Sequence, residues 1–171
     1  MAPVLLFAYG SVLHDERLYE TSPTAKFRTI AKLPNYKLVF NDVADFESPW
    51  HGAMANIAKS DGDVVWGVVY QIDKETIKNI ERNMTGCLGI YHMKEVVVYS
   101  PDNNALACVC LEMRNALPGA SRPSPQYLSI IVAGAAHRGL PEKYIDMLKD
   151  VPHNGYQGKL GLSEHMFMNT I

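Results

Sequence analysis

Only three cysteines occur in 171 residues, at Cys87, Cys108 and Cys110. An odd count, in a chain long enough to bury its own core, argues against a disulfide framework. Cys108 and Cys110 stand two apart in a strand-like run, so they share one face and read as core thiols. That usage points to a reducing cytosol and an expected cytoplasmic location. The six histidines are dispersed, with no HxH or HxxxH pair, so no metal is expected. Neither sign of charge dominates: the net charge is −2. That balance leaves no footprint for nucleic acid or an anionic membrane surface. No apolar run approaches the length that spans a bilayer. The opening MAPVLLFAYGS lacks a basic stretch ahead of its apolar run and reads as a first strand, not a signal peptide. The phosphate loops GxGxxG and GxxxxGK[ST] are missing, as is GxSxG. Nucleotide binding and serine-hydrolase chemistry have no local support, and no cofactor is expected.

What is present is a soluble-type composition, 47% apolar and 20% charged, without repeats or a low-complexity linker. The expectation is one domain over residues 1–171, with 160–171 as a C-terminal tail that docks on a second subunit or frays. Strand patterns fall on Val4–Tyr9, Ala53–Ala58 and Val64–Ile72, the last two separated by the turn pair Asp61-Gly62. Lys26–Leu33 and Tyr36–Phe40 read as two strands joined by a turn at Pro34-Asn35. Tyr91–Ser100 and Ala105–Met113 read as a hairpin across residues 101–104. Helices are expected over His14–Tyr19, from a cap at Asp73 to about Asn83 with Ile77 and Ile80 inward, from Ser124-Pro125 to Gly139, and from Pro141 to about Val151. Strands fill the first two thirds and helices the last. This is an α+β layout around a mostly antiparallel sheet that could curl into a barrel.

The most informative segment is Phe7-Ala8-Tyr9-Gly10-Ser11. A strand ending in a glycine turn can present successive backbone N–H groups to a carboxylate or a developing oxyanion. Ser11 adds a hydroxyl, but no motif places a histidine to activate it as a nucleophile. Asp42, Asp45 and Glu47 read as a solvated acidic loop, and Trp50-His51 as loop packing, with gating of a pocket as the alternative.

FAYGS resembles the FAYGSN signature of γ-glutamylcyclotransferases, and six further segments follow in that family's order. WHGAMANI (Trp50–Ile57) resembles its WHGG segment, and Gly62-Asp63 with Val65-Trp66-Gly67-Val68-Val69 its GDEVWGVV strand. Gly89-Ile90-Tyr91 resembles its Gly-x-Tyr, Pro123–Tyr127 its PSPQY, Gly139-Leu140-Pro141 with Tyr144 its GLPxxY, and Gly155–Lys159 its closing DYTGK. The resemblance covers residues 5 to 160.

The resemblance implies a γ-glutamylcyclotransferase-like fold, a small mixed or antiparallel β-barrel surrounded by helices, in a homodimer. It implies a small-molecule γ-glutamyl compound as partner, and neither nucleic acid nor membrane. The family's reaction releases 5-oxoproline: the α-amine of a γ-glutamyl group attacks its own γ-carbonyl and the attached amine leaves. Binding residues implied are Leu6, Phe7, Ala8, Tyr9, Gly10, Ser11 and Tyr127. The proton carrier is a single glutamate, and counting back from Gly89-Ile90-Tyr91 puts its position at Met84. A thioether cannot carry a proton. The family's asparagine after Gly-Ser is Val12 here. Glu81, at the family's aspartate position one helical turn earlier, is a weak substitute candidate. A slip of the alignment at Thr85-Gly86 is opposed by the spacing from Gly89. Three readings stand side by side: a family enzyme with reduced or lost activity, a non-catalytic binder of a small carboxylate, and an enzyme of altered chemistry with another proton carrier.

Overall fold

The computed structural model describes residues 3–160, apart from the side chain of Asp15. Strands β1 (Pro3–Ala8), β2 (Lys26–Asn41), β3 (Met54–Asp73), β4 (Tyr91–Tyr99) and β5 (Ala105–Met113) close into a barrel in the order β1-β3-β2-β4-β5. Neighbours are antiparallel except at the seam, where β1 meets β5 in parallel at Leu6 and Val109. Helices α1 (Asp15–Thr21), α2 (Ile77–Thr85), α3 (Pro125–Arg138) and α4 (Glu142–Lys149) complete the fold. The α+β class and the barrel are those expected. The hairpin β4–β5 is also as read, from Tyr91 opposite Met113 to Tyr99 opposite Ala105.

The reading of residues 26–40 is corrected. Lys26–Leu33 and Tyr36–Phe40 do not pair with each other. They are two halves of one strand, β2, and both pair with β3. Asn35 takes φ 63° and Gly62 φ 85°, and the Asn35 side-chain oxygen accepts the Gly62 N–H at 3.1 Å. The turn-forming residues thus face each other across an irregularity that shifts the register from Pro34↔Val64 to Tyr36↔Lys59. Such a bulge bends a ribbon without reversing it. Asp61-Gly62 is likewise an interruption within β3, not a hairpin turn.

Helix ends follow local chemistry. Ser124 Oγ accepts the Tyr127 N–H at 3.2 Å, Pro125 occupies the first turn, and Gly139 ends α3 at φ 72°. Asp73 is a correction: it precedes a 3₁₀ turn, Lys74–Thr76, without a side-chain capping bond, and its carboxylate accepts from Thr24 Oγ1 at 3.0 Å instead.

The core is one cluster filling the barrel and running under α2 and α3, with Val65, Tyr70, Ile80, Ile131 and Leu148 fully buried. Burying each of the larger aliphatic side chains contributes about 1.5–3 kcal/mol. Cys108 and Cys110 are buried free thiols within it. Gly134 lets α3 approach the segment after β1: a Cβ there would stand 2.7 Å from His14 N and 2.9 Å from Leu13 Cβ. Of the tail 160–171, only Leu160 lies within the described residues, and it packs against the core.

Candidate functional site

Strand β1 ends at Ala8, and Tyr9-Gly10 leads into a buried 3₁₀ turn over Ser11–Leu13. The turn closes with Leu13 N–H to Gly10 O at 3.0 Å and His14 N–H to Ser11 O at 3.3 Å. The amides of Ser11 and Val12 open the turn, so its i→i+3 bonding does not consume them. The glycine turn thus opens with two successive amides, but its glycine differs from expectation. Gly10 has φ −119° and ψ −134°, outside the left-handed region. Its lack of a side chain serves close approach: a Cβ would stand 3.2 Å from Ala55 Cβ.

Beside this turn lies a cavity of about 20 Å³, room for a single water-sized group. Five consecutive residues, Leu6 to Gly10, form one wall, joined by Val12, Ala55 from β3 and Leu111 from β5. Ile80 and Met84 of α2, one turn apart on one face, line it as well, with Tyr127 of α3. Of the seven residues implied for binding, six line the cavity. Ser11 does not, and its hydroxyl is buried with no hydrogen-bond partner. No histidine is therefore bonded to it.

Three tyrosine hydroxyls frame the site. Tyr127 accepts the Ala55 N–H at 2.9 Å, Tyr91 donates to Ala55 O at 2.7 Å, and Tyr9 donates to Leu111 O. Burial pushes the Tyr9 and Tyr91 phenols well above their ordinary value. Tyr127 is pushed up to about 12, chiefly by burial, with the Ala55 N–H and Arg17 pulling the other way. All three stay neutral near pH 7.

Met84 occupies the position the family resemblance assigns to glutamate, and its buried side chain faces the cavity. Glu81, one turn earlier, points elsewhere. One of its carboxylate oxygens accepts the Gly89 N–H at 2.8 Å and the Tyr91 N–H at 3.0 Å. These bonds tie the α2–β4 connection, and Glu81 does not line the cavity.

Arg17 is what the sequence reading missed. It is 3% exposed, and none of its three guanidinium nitrogens has a hydrogen-bond partner. Burial lowers its pKa from 12.5 to about 10. The guanidinium carbon sits 4.6 Å above the Trp50 ring, which packs at 4.6 Å between centroids on Tyr127. The available signal was position: Arg17 falls four residues after Leu13, beside Leu18, where a buried side chain is due.

The Trp50-His51 pair resolves into loop packing. Trp50 is buried and donates its indole N–H to Met84 O at 2.7 Å. His51 points outward and stacks on Tyr156 at 4.5 Å. Asp42, Asp45 and Glu47 are exposed. Among the described residues no group of three His, Cys, Asp or Glu side chains is placed to hold a metal, and no helix is long and apolar enough to cross a membrane.

An AIG2-like family model matches residues 64–148. The chain is 37% identical over 157 residues to γ-glutamylcyclotransferase of Mus musculus, covering 91% of this chain and 82% of that protein. It is 38% identical to γ-glutamylcyclotransferase of Homo sapiens, with the same coverage. A solved structure of a γ-glutamyl cyclotransferase superposes with a TM-score of 0.86 at 36% identity, covering 96% of each chain. Identity at this level over nearly the whole chain, on the same barrel fold, makes the protein a member of the γ-glutamylcyclotransferase family of AIG2-like proteins.

Proposed function

We propose that this protein keeps the family's ligand cradle but has lost most of the family's turnover, because no group at its cavity can carry a proton near neutral pH. The observation that carries this reading is the pairing of Met84 with Glu81. The thioether faces the cavity, and the nearest carboxylate on the same helix is held by the Gly89 and Tyr91 N–H groups.

The reaction named by the relatives makes definite demands. The α-ammonium of a γ-glutamyl compound must lose a proton before its nitrogen attacks the γ-carbonyl. The oxygen of that carbonyl becomes an oxyanion, and the departing nitrogen must gain a proton. Ring closure is favoured once five atoms are folded together. The N–H groups of Ser11 and Val12, which the turn's own bonding does not use, suit the oxyanion. The proton steps have no agent. Phenols whose pKa burial raises above the ordinary value stay protonated at pH 7 and cannot take up the ammonium proton, and each of the three already bonds the backbone.

A general acid/base contributes 10²–10⁴-fold, or about 3–5 kcal/mol of barrier. Turnover on γ-glutamyl dipeptides is therefore expected at least about a hundredfold below that of the mammalian relatives. Chromatographic measurement of 5-oxoproline release checks it, and rates within about tenfold of those enzymes would overturn the reading. Met84 also fills space: a cavity of about 20 Å³ does not hold a γ-glutamyl group until the flexible thioether swings aside. A second reading, a non-catalytic binder of a small carboxylate at the glycine-serine turn, is favoured by the buried, unpartnered hydroxyl of Ser11.

A further inference from the structure

A guanidinium in the protein interior normally finds carboxylate or carbonyl acceptors, because losing water without them is expensive. Arg17 has lost its water and found none: it is 3% exposed, and Nε, Nη1 and Nη2 all lack acceptors. Glu20, on the same helix, is exposed, and among the described residues no ion pair joins it to Arg17. What holds the group is an aromatic shelf. Its carbon lies 4.6 Å over Trp50, whose indole N–H is tied to Met84 O and whose ring packs on Tyr127. Stacking fixes the plane of a guanidinium and leaves its edge donors free. Arg17 does not itself line the cavity; the shelf joins it to two residues that do, Met84 and Tyr127, and its charge acts on the Tyr127 phenol. A second polar group of the same segment, the Ser11 hydroxyl, is also buried and unpartnered.

We propose that Arg17 is the anion anchor of this pocket, taking a ligand carboxylate on its edge N–H groups. The ligand class is a small molecule with a free carboxylate, such as a γ-glutamyl amino acid or 5-oxoproline, as opposed to its neutral amide. The inference rests on the reading of the cavity as a ligand site, and it is independent of whether turnover occurs. Two parallel N–H donors match the two oxygens of a carboxylate, a geometry that a lysine cannot reproduce. The anchor also accounts for a polar side chain on the inner face of α1, where an apolar residue would pack at less cost.

The test is calorimetric titration with 5-oxoproline and with 2-pyrrolidinone, the same ring without the carboxylate. The proteins are the full chain and its Met84→Ala variant, in which the cavity is enlarged, each with Arg17, Arg17→Lys and Arg17→Met. The expected result is that 5-oxoproline binds at least about tenfold more tightly than 2-pyrrolidinone when Arg17 is present. Arg17→Met removes that preference and Arg17→Lys keeps only part of it. Melting of ligand-free Arg17→Met at or above the parent temperature is expected too, since an uncompensated buried cation is removed. A preference for the carboxylate that survives Arg17→Met would overturn the proposal. So would the absence of any preference in the two proteins that retain Arg17, a comparison that holds even if both Arg17 variants fail to fold. Fast 5-oxoproline release by the unmutated chain would sink the reading of Met84 and leave the anchor standing, because the anchor is read from binding alone.

Discussion

The indole N–H of Trp50 donates a 2.7 Å hydrogen bond to the main-chain carbonyl of Met84. That bond ties the last turn of α2 to the loop between β2 and β3, and it fixes where any side chain at position 84 emerges. Met84 faces the cavity through a backbone held from outside the helix. A carboxylate installed there inherits that placement.

Met84→Glu is therefore expected to raise 5-oxoproline release from γ-glutamyl dipeptides by about 10²–10⁴-fold, the usual contribution of one positioned acid/base. Steady-state rates on the purified variant check it. Unchanged rates would mean that Val12, or the cavity shape as a whole, also blocks the reaction. The double variant with Val12→Asn separates those two causes.

Trp50→Phe keeps an aromatic ring against Tyr127 but deletes the indole N–H. The Met84 carbonyl then loses its buried donor, at a cost of about 1–3 kcal/mol measured by urea unfolding. In the Met84→Glu background the same change should lower the regained rate, because the turn carrying the new carboxylate loosens. A stability loss with no effect on the regained rate would show that α2 holds position 84 without the indole.

Glu81 is expected to act on stability and not on chemistry. Replacing it with alanine strands the Gly89 and Tyr91 N–H groups and costs about 2–4 kcal/mol, whereas glutamine keeps an acceptor and costs about 1 kcal/mol. In the Met84→Glu background, Glu81→Gln should retain the regained rate within about threefold. A collapse of that rate with normal stability would make Glu81 a participant.

How far the sequence exposed this site depends on the range of the contacts. The turn after β1 was legible because it is local: strand, glycine and serine follow one another. Expectation failed where a residue's meaning depends on a distant partner. Asn35 looks like a turn residue, yet it serves a bulge because Gly62 lies opposite it across the sheet. Ala55 carries no chemical signature, but its N–H and carbonyl organise two tyrosines, 72 and 36 residues away. Arg17 is patterned like a core residue and charged like a surface one, and only the Trp50 shelf, brought in by a separate loop, reconciles the two.

Gly134→Ala probes how the cradle is held. The added Cβ would stand 2.7 Å from His14 N and 2.9 Å from the Leu13 carbonyl carbon, backbone atoms that cannot move alone. Overpacking of this kind costs about 1–3 kcal/mol. Thermal melting should show the loss. Any affinity for 5-oxoproline should fall with it, because the turn from Ser11 to Leu13 must shift. A melt unchanged within error would mean that α3 slides without disturbing the turn.

The buried phenols predict an alkaline limit on stability. Tyr9, Tyr91, Tyr127 and Tyr144 all have pKa values raised above the ordinary 10.0, burial being the first cause in each case. A raised folded value means that the folded chain holds its proton longer than the unfolded one. Each phenol's contribution is complete below about pH 10 and is lost as pH climbs through the folded value, about 12 for Tyr127. Arg17 runs the other way. Its value falls from 12.5 to about 10, so above about pH 10 the folded chain sheds an unfavourable charge and gains stability. Four groups oppose one, and the net expectation is a steady loss of stability between about pH 10 and 12 in urea titrations at stepped pH. Tyrosinate absorbance followed in parallel should show the exposed phenols ionising first and these four only as the chain unfolds. Early ionisation of all the tyrosines in the folded protein would refute the burial on which this expectation rests.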